Sequence, residues 1–67
     1  MKPSLFDLLS ITDLKQDVVV TVMTEPGRII NTGTVKDFIS KNETATLKGY
    51  TVVKQQYLFE KLYIDVS

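Results

Sequence analysis

The sequence lacks cysteine and histidine altogether. Disulfide bonds are therefore excluded, and so are the commonest ligands of zinc. A chain of 67 residues buries only about 60% of the surface that it exposes when unfolded. Small domains usually compensate with disulfides, a metal ion or a partner subunit. Only the partner subunit remains here, so we expect the protein to self-associate.

Net charge and long apolar segments are missing too. Eight lysines and arginines balance eight aspartates and glutamates, so the whole chain has no field that would attract nucleic acid over a distance. No apolar run has the length of a membrane span. Asp7 interrupts the apolar segment near the start, whereas the apolar region of a signal peptide is uninterrupted. We expect a cytoplasmic protein with no membrane partner.

Catalytic groups are sparse. Without histidine or cysteine, a general base has to be a carboxylate or a lysine, and the acidic residues are scattered along the chain. The three glycines are isolated, so no glycine-rich loop can hold a phosphate. So short a chain also has little room for a ligand pocket of roughly 300 Å³ or more. We predict no enzyme activity, catalytic residue, cofactor, metal or small-molecule substrate.

The first element is a short helix over residues 4–11, within "KPSLFDLLSI". Ser4 is a good N-cap, and Asp7 lies in the first turn near the positive end of the helix dipole. Leu5, Leu8 and Leu9 share one face. So short a helix is unstable by itself, so these leucines must pack on the domain or on another chain.

The segment "DVVVTVMT", residues 17–24, is the clearest strand because it is rich in β-branched residues. Val18, Val20 and Val22 share one face, while Val19 and Met23 lie on the other. Apolar residues on both faces favour a central strand or a strand that curls into a barrel.

Turn residues separate this strand from the next. In "EPGR", Pro26 and Gly27 suit a type II turn with positive φ at the glycine. We predict a strand over residues 28–39 with a bulge at Gly33. The bulge brings the apolar residues of the strand onto one face, namely Ile30, Val35 and Ile39. This pattern indicates a closed, bent sheet.

Three further strands are predicted over residues 44–48, 50–54 and 62–66. Lys48 and Gly49 suit a tight hairpin with positive φ at Gly49. The last segment, "QQYLFEKLYIDVS", combines helix formers with β-formers. We therefore predict one helical turn over residues 56–60, followed by a strand that directs Leu62, Ile64 and Val66 inward. Tyr63 then points outward, and Tyr57 is exposed.

Together these elements predict a single domain, residues 1–67, that is mainly β with a short N-terminal helix. Its strongly bent antiparallel sheet would form an SH3/Sm-like small barrel. The alternative is an α+β fold with a three-stranded meander between two helices, in which residues 54–65 are wholly helical.

The run "DVVVTVMTEPGRIINTGTVKDF" resembles the first half of an Sm-like domain. It has alternating valines, a turn carrying Gly27 and Arg28, and then Gly33, Val35 and Phe38 at the matching spacing. The preceding helix and the closing "LYIDVS" also fit in order. The resemblance implies a small barrel and, as an alternative function, binding of single-stranded nucleic acid.

Basic and aromatic residues are interleaved late in the chain, as small barrels that bind single strands require for backbone contact and base stacking. The candidate nucleic-acid contacts are Arg28, Lys48, Tyr50, Lys54 and Lys61.

Protein interaction is nevertheless the function that the sequence favours. A core of this size cannot bury the leucines, the two-sided valines and the tyrosines together, and tyrosine is favoured at interfaces. Strand edges of an open barrel also invite pairing with another chain. We predict a small non-catalytic adaptor, inhibitor or assembly subunit whose partner is another protein, itself, or both. The candidate partner-binding residues are Leu5, Phe6, Leu9, Tyr57 and Tyr63.

Overall fold

Residues 2–25 and 27–67, which the computed structural model describes, form three short helices and four strands. In chain order these are α1 (Leu5–Ser10), β1 (Asp17–Val22), β2 (Arg28–Asn31), α2 (Val35–Lys41), α3 (Thr44–Lys48), β3 (Val52–Leu58) and β4 (Lys61–Val66). The protein is thus mixed α/β rather than mainly β.

The strands form one open sheet in the order β2-β1-β4-β3. The central strands β1 and β4 are parallel, and each carries an antiparallel partner at the edge. Parallel neighbours need a long crossover connection, and residues 32–51, with α2 and α3, belong to it. Because β2 and β3 are the two edges of the sheet and do not pair with each other in the described residues, the small barrel that we expected is not confirmed. The meander alternative is also wrong, since the central pair is parallel.

All the helices cover one face of the sheet. From the sheet, the core receives Val18, Val20, Val22, Val52, Ile64 and Val66. From the helices it receives Leu5, Leu8, Leu9, Val35, Phe38 and Leu47. No polar side chain is buried among the described residues, so burial of apolar surface is the main force that holds the two layers together.

The predicted helix at the start of the chain is confirmed as α1. The Ser4 hydroxyl accepts a hydrogen bond from the Asp7 amide at 3.2 Å, and the Asp7 carboxylate accepts one from the Ser4 amide at 3.4 Å. This capping box satisfies two amides that a helix start leaves without partners. The three leucines of α1 are buried.

We expect Ser4→Ala to lower the free energy of unfolding by about 1 kcal/mol, because an Ala N-cap leaves an amide unsatisfied. Ser10→Ala is the matched control: its exposed hydroxyl donates to the Asp7 carbonyl at 2.7 Å and caps nothing. We expect that change to cost less than about 0.5 kcal/mol. Urea denaturation followed by circular dichroism measures both, and equal losses would contradict a capping role for Ser4.

The strands at the centre of the sheet are also confirmed. β1 buries Val18, Val20 and Val22 and occupies a central position. β4 buries Ile64 and Val66 as predicted. Alternation along these two strands therefore identified the core face correctly.

The predicted strand over residues 28–39 is wrong beyond Asn31. The chain turns at Gly33 and enters α2, with the Thr34 hydroxyl accepting from the Asp37 amide at 3.2 Å. Val35 and Phe38, three residues apart, then face the core together. Gly33 is not a bulge: its carbonyl accepts the Val18 amide at 2.9 Å. The bulge in this hairpin lies where β1 passes from Val20 to Thr21.

Residues 44–48 form α3 and not a strand, and this short helix buries the Leu47 side chain in the core. Gly49 follows as the C-cap with φ of −74°, so the predicted hairpin with positive φ at this glycine is wrong. Gly27, by contrast, has the predicted positive φ, +84°. Pro26, the other residue of that predicted turn, lies outside the described residues.

The end of the chain is a hairpin without a helical turn. β3 extends to Leu58, beyond the predicted strand over residues 50–54, and pairs with β4 across a turn made by Phe59 and Glu60. Both turn residues have positive φ, 51° and 65°. Two consecutive residues of this kind form the type I′ turn that suits the twist of a hairpin.

Candidate functional site

The two faces of the sheet differ in what covers them. In the described part of the chain, the helices lie on one face only, so the side chains on the opposite face meet solvent. Val19 and Tyr63 lie side by side on this open face, because they are opposed residues of the parallel central pair. Val19 is half-buried, and Tyr63 is 40% exposed.

Large apolar side chains are concentrated at one end of the sheet. Nine such side chains are exposed in the described residues, and five of them belong to the segment between α1 and β1 or to the end of β3 and the turn that follows it. The five are Ile11 (84% exposed), Leu14 (54%), Tyr57 (62%), Leu58 (43%) and Phe59 (85%). We call this set the apolar end.

Hydrogen bonds hold the segments of the apolar end in place. The Gln16 side-chain amide donates to the Glu60 carbonyl at 2.8 Å, which ties the loop before β1 to the hairpin turn. The Leu14 carbonyl accepts the Lys36 amide at 3.0 Å, which ties the same loop to α2. The exposed residues therefore belong to ordered segments attached to the sheet.

The turn at the apolar end is strained. Type I′ turns strongly prefer Asn-Gly, since the left-handed conformation costs other residues roughly 1–2 kcal/mol each. Phe59 and Glu60 both adopt it, and the Phe59 side chain recovers none of that cost by burial. A bulky residue at positive φ is an outlier of the kind found at functional sites.

Two of the five predicted partner-binding residues do not reach the surface. Leu5 and Leu9 are 0% and 1% exposed, because the stripe of α1 packs on the protein's own sheet. Phe6 is half-buried, with the Lys48 ammonium 5.3 Å from its ring centroid. Tyr57 and Tyr63 are exposed as predicted.

Sequence reasoning missed Ile11, Leu14, Leu58 and Phe59. The signal for Ile11 was its position off the apolar stripe of α1. The signal for Phe59 was the short gap between two β-rich runs, but without Asn or Gly it did not look like a hairpin turn.

The predicted nucleic-acid contacts do not form one surface. Lys54 lies opposite Asp65, and Lys61 lies opposite Asp17, so each is next to an acid. Arg28 donates a hydrogen bond to the Glu25 carboxylate, and this bond raises the pKa of Arg28 above its usual value. A phosphate backbone bound at these residues would lie next to carboxylates, which repel it.

Arg28 and Tyr50 do share a cleft of about 420 Å³ between β2 and the helices. Its remaining lining residues are Ile29, Ile30, Phe38, Asn42, Thr46 and Leu47. The cleft is larger than we expected from so short a chain. Its Asn42 amide is already bonded to the Phe38 carbonyl at 3.0 Å, and the lining offers no paired nucleophile and base for catalysis.

Two further observations concern the described residues as a whole. They contain no group of three acidic, histidine or cysteine side chains placed to hold a metal ion. They also contain no helix with the length and apolar character needed to cross a membrane.

Comparison with protein-family models, with curated proteins and with solved structures finds no match to this chain.

Proposed function

We propose that this chain is a small, non-catalytic protein-interaction module of the cytoplasm, which binds a partner protein through the apolar end and also self-associates. The single observation that carries the proposal is that five of the nine exposed large apolar side chains in the described residues belong to two segments that the Gln16–Glu60 hydrogen bond joins. Singly scattered exposed apolar residues are normal on any protein, whereas several in neighbouring segments are typical of a contact surface.

Two properties of the apolar end support a role in binding. Its aromatic residues, Tyr57 and Phe59, are of the kind enriched at the centres of interfaces. Its segments are held by the backbone and by Gln16, so a partner would not have to order them, and the entropy cost of binding is reduced.

Binding of single-stranded nucleic acid, the alternative function, is less well supported. Lys54 and Lys61 lie opposite acids across the strands, so the open face that they share with Tyr63 carries no excess of positive charge there.

The apolar end is tested by replacing Ile11 and Leu14 with Ser and Phe59 with Asn. The immobilised wild-type chain should enrich a specific protein from an extract of its own cells. We expect the triple variant to enrich that protein at least about tenfold less, because hot-spot residues supply most of the binding energy of an interface. Quantitative mass spectrometry gives the readout, and thermal unfolding shows that the variant is folded.

A matched control removes the same kind of side chain elsewhere, with Met23→Ser and Val53→Ser, both exposed outside the apolar end. We expect this control to keep the enrichment. If both variants lose it equally, or neither does, the apolar end is not the binding surface.

A further inference from the structure

The outer side of β3 is largely uncovered. Its beginning is paired, since the Val52 amide donates to the Pro3 carbonyl at 2.9 Å and Ser4 bridges to Thr51. From Lys54 to Leu58 every residue is exposed, and in the described part of the chain no strand lies beside this stretch. A free strand edge of this kind is a template for pairing with another chain.

Alternation identifies the backbone groups on the free side. The two-residue turn makes Leu58 and Lys61 a hydrogen-bonded pair. In an antiparallel pair, bonded and non-bonded positions alternate. Gln56 therefore bonds to β4, whereas Gln55 and Tyr57 direct their amides and carbonyls to solvent.

The other end of β3 agrees with this assignment. Thr51 and Ser67 exchange both backbone bonds, at 3.0 and 2.9 Å. The backbone amide and carbonyl of the next residue, Val52, must then point away from β4. The Val52 amide does donate in that direction, to the Pro3 carbonyl.

The opposite edge of the sheet is much less suited to pairing. β2 has only four residues, and its hairpin with β1 contains a bulge. β3 has seven residues, contains no proline, and carries a single charge, Lys54. Natural edges are usually blunted by shortness, bulges, proline or charge, and β3 beyond its own bulge at residues 52–54 has only one of these protections.

We propose that two copies of this chain pair antiparallel along β3, with Gln56 of each copy opposite Gln56 of the other. The two four-stranded sheets then become one continuous eight-stranded sheet. The inference rests on the self-association part of the proposed function and specifies where the copies meet.

The register follows from symmetry. A twofold axis perpendicular to the sheet reverses the strand but keeps the open faces on the same side, so opposed residues must share a face. The regular run after the bulge, Lys54–Leu58, is then centred on Gln56. Gln55 of each copy lies opposite Tyr57 of the other, and both have outward backbone groups, so four new backbone bonds form.

Charge also favours this register. Lys54 lies opposite Leu58 of the second copy, with its own Asp65 on the other side. A register centred on Lys54 would place like charges directly opposite each other, which is destabilising. Tyr57 and Leu58 of the apolar end take part in the new strand pair. Ile11, Leu14 and Phe59 lie outside β3, so the dimer leaves these three to a different partner.

Single-cysteine variants test the register, because the chain has no cysteine of its own. In a redox buffer, we expect Gln56→Cys to form the disulfide-linked dimer at least about tenfold faster than Lys54→Cys. The two Gln56 positions are a directly opposed, non-bonded pair with Cβ atoms about 5 Å apart, within reach of a disulfide after a small adjustment. The two Lys54 positions lie about 13 Å apart along the strand. Equal rates would overturn the register.

Sedimentation equilibrium of the full chain tests the edge itself. We expect the wild type to dimerise with a dissociation constant of roughly 10–100 μM, since one strand pair is smaller than a standard interface. Gln55→Pro removes an amide that points to solvent and leaves every bond between β3 and β4 in place. We therefore expect this variant to be a monomer with little loss of thermal stability. Gln56→Pro is its control and should lower the melting temperature, because it removes a bond to β4.

Gln56→Lys adds a second route to the same result, since it leaves the backbone unchanged and places two cations opposite each other. We expect it to be monomeric. A wild-type dimer that survives both Gln55→Pro and Gln56→Lys would show that the copies meet elsewhere, which overturns this inference and keeps self-association. A wild type that stays monomeric at about 500 μM, above the expected range of dissociation constants, would overturn both the β3 dimer and self-association. The capture experiment would still decide whether the apolar end binds a partner protein.

Discussion

We expect Phe38→Ala to remove about half of the free energy of unfolding or more. Phe38 is 2% exposed and is the largest fully buried side chain among the described residues. Truncating a buried Phe to Ala costs about 3–5 kcal/mol, whereas a chain of 67 residues has a total stability of only about 3–10 kcal/mol. Far-UV circular dichroism with urea denaturation measures the loss.

Phe59→Ala is the matched control for this change, because it removes the same side chain from an 85% exposed position. We expect its effect on the free energy of unfolding to stay within about 0.5 kcal/mol. If the two variants were destabilised equally, Phe38 would not lie in the core, and the assignment of α2 would be wrong.

The second large effect is a gain in stability. We expect the double variant Phe59→Asn, Glu60→Gly to raise the free energy of unfolding by about 1–3 kcal/mol, because Asn-Gly is the preferred pair of a type I′ turn. In a domain of this size, each 1 kcal/mol raises the melting temperature by about 4–8 °C. Differential scanning calorimetry gives the shift.

Phe59→Val provides the opposing control. A β-branched residue fits positive φ poorly, so this variant should melt at a lower temperature than the wild type while it keeps an apolar side chain in the turn. Were the Asn-Gly variant no more stable than the wild type, the turn would not be strained.

The two results together bear on the proposed function. If the Asn-Gly turn stabilises the fold and Phe59 is also needed to capture the partner, then Phe59 lowers the stability of the fold and contributes to binding. Such an opposition between stability and activity is common at functional sites.

The candidate site was predictable only in part. Tyr63 was identified because alternation along the last strand placed it away from the core. Tyr57 is exposed as predicted, but it lies in β3 and not in the predicted helical turn. Leu5 and Leu9 were assigned to a partner because an amphipathic helix does not reveal which surface covers its apolar stripe. Phe59 was missed because turn chemistry is recognised by Asn and Gly, and this turn has neither.

Local sequence signals were sufficient to predict α1, β1 and β4. The capping box of Ser4 and Asp7 is local, and the alternating valines of β1 define a face whatever lies beside them. Such signals involve residues within a few positions of each other, so they need no knowledge of the rest of the fold.

The helices over residues 35–41 and 44–48 depend instead on long-range packing. Their β-branched and aromatic residues favour strands weakly, and propensities of this size are overridden by packing. The parallel pairing of β1 with β4 requires a crossover whose apolar residues cover one face of the sheet, and helices place Val35, Phe38 and Leu47 there together. That pairing joins residues more than forty positions apart, so no local pattern could reveal it.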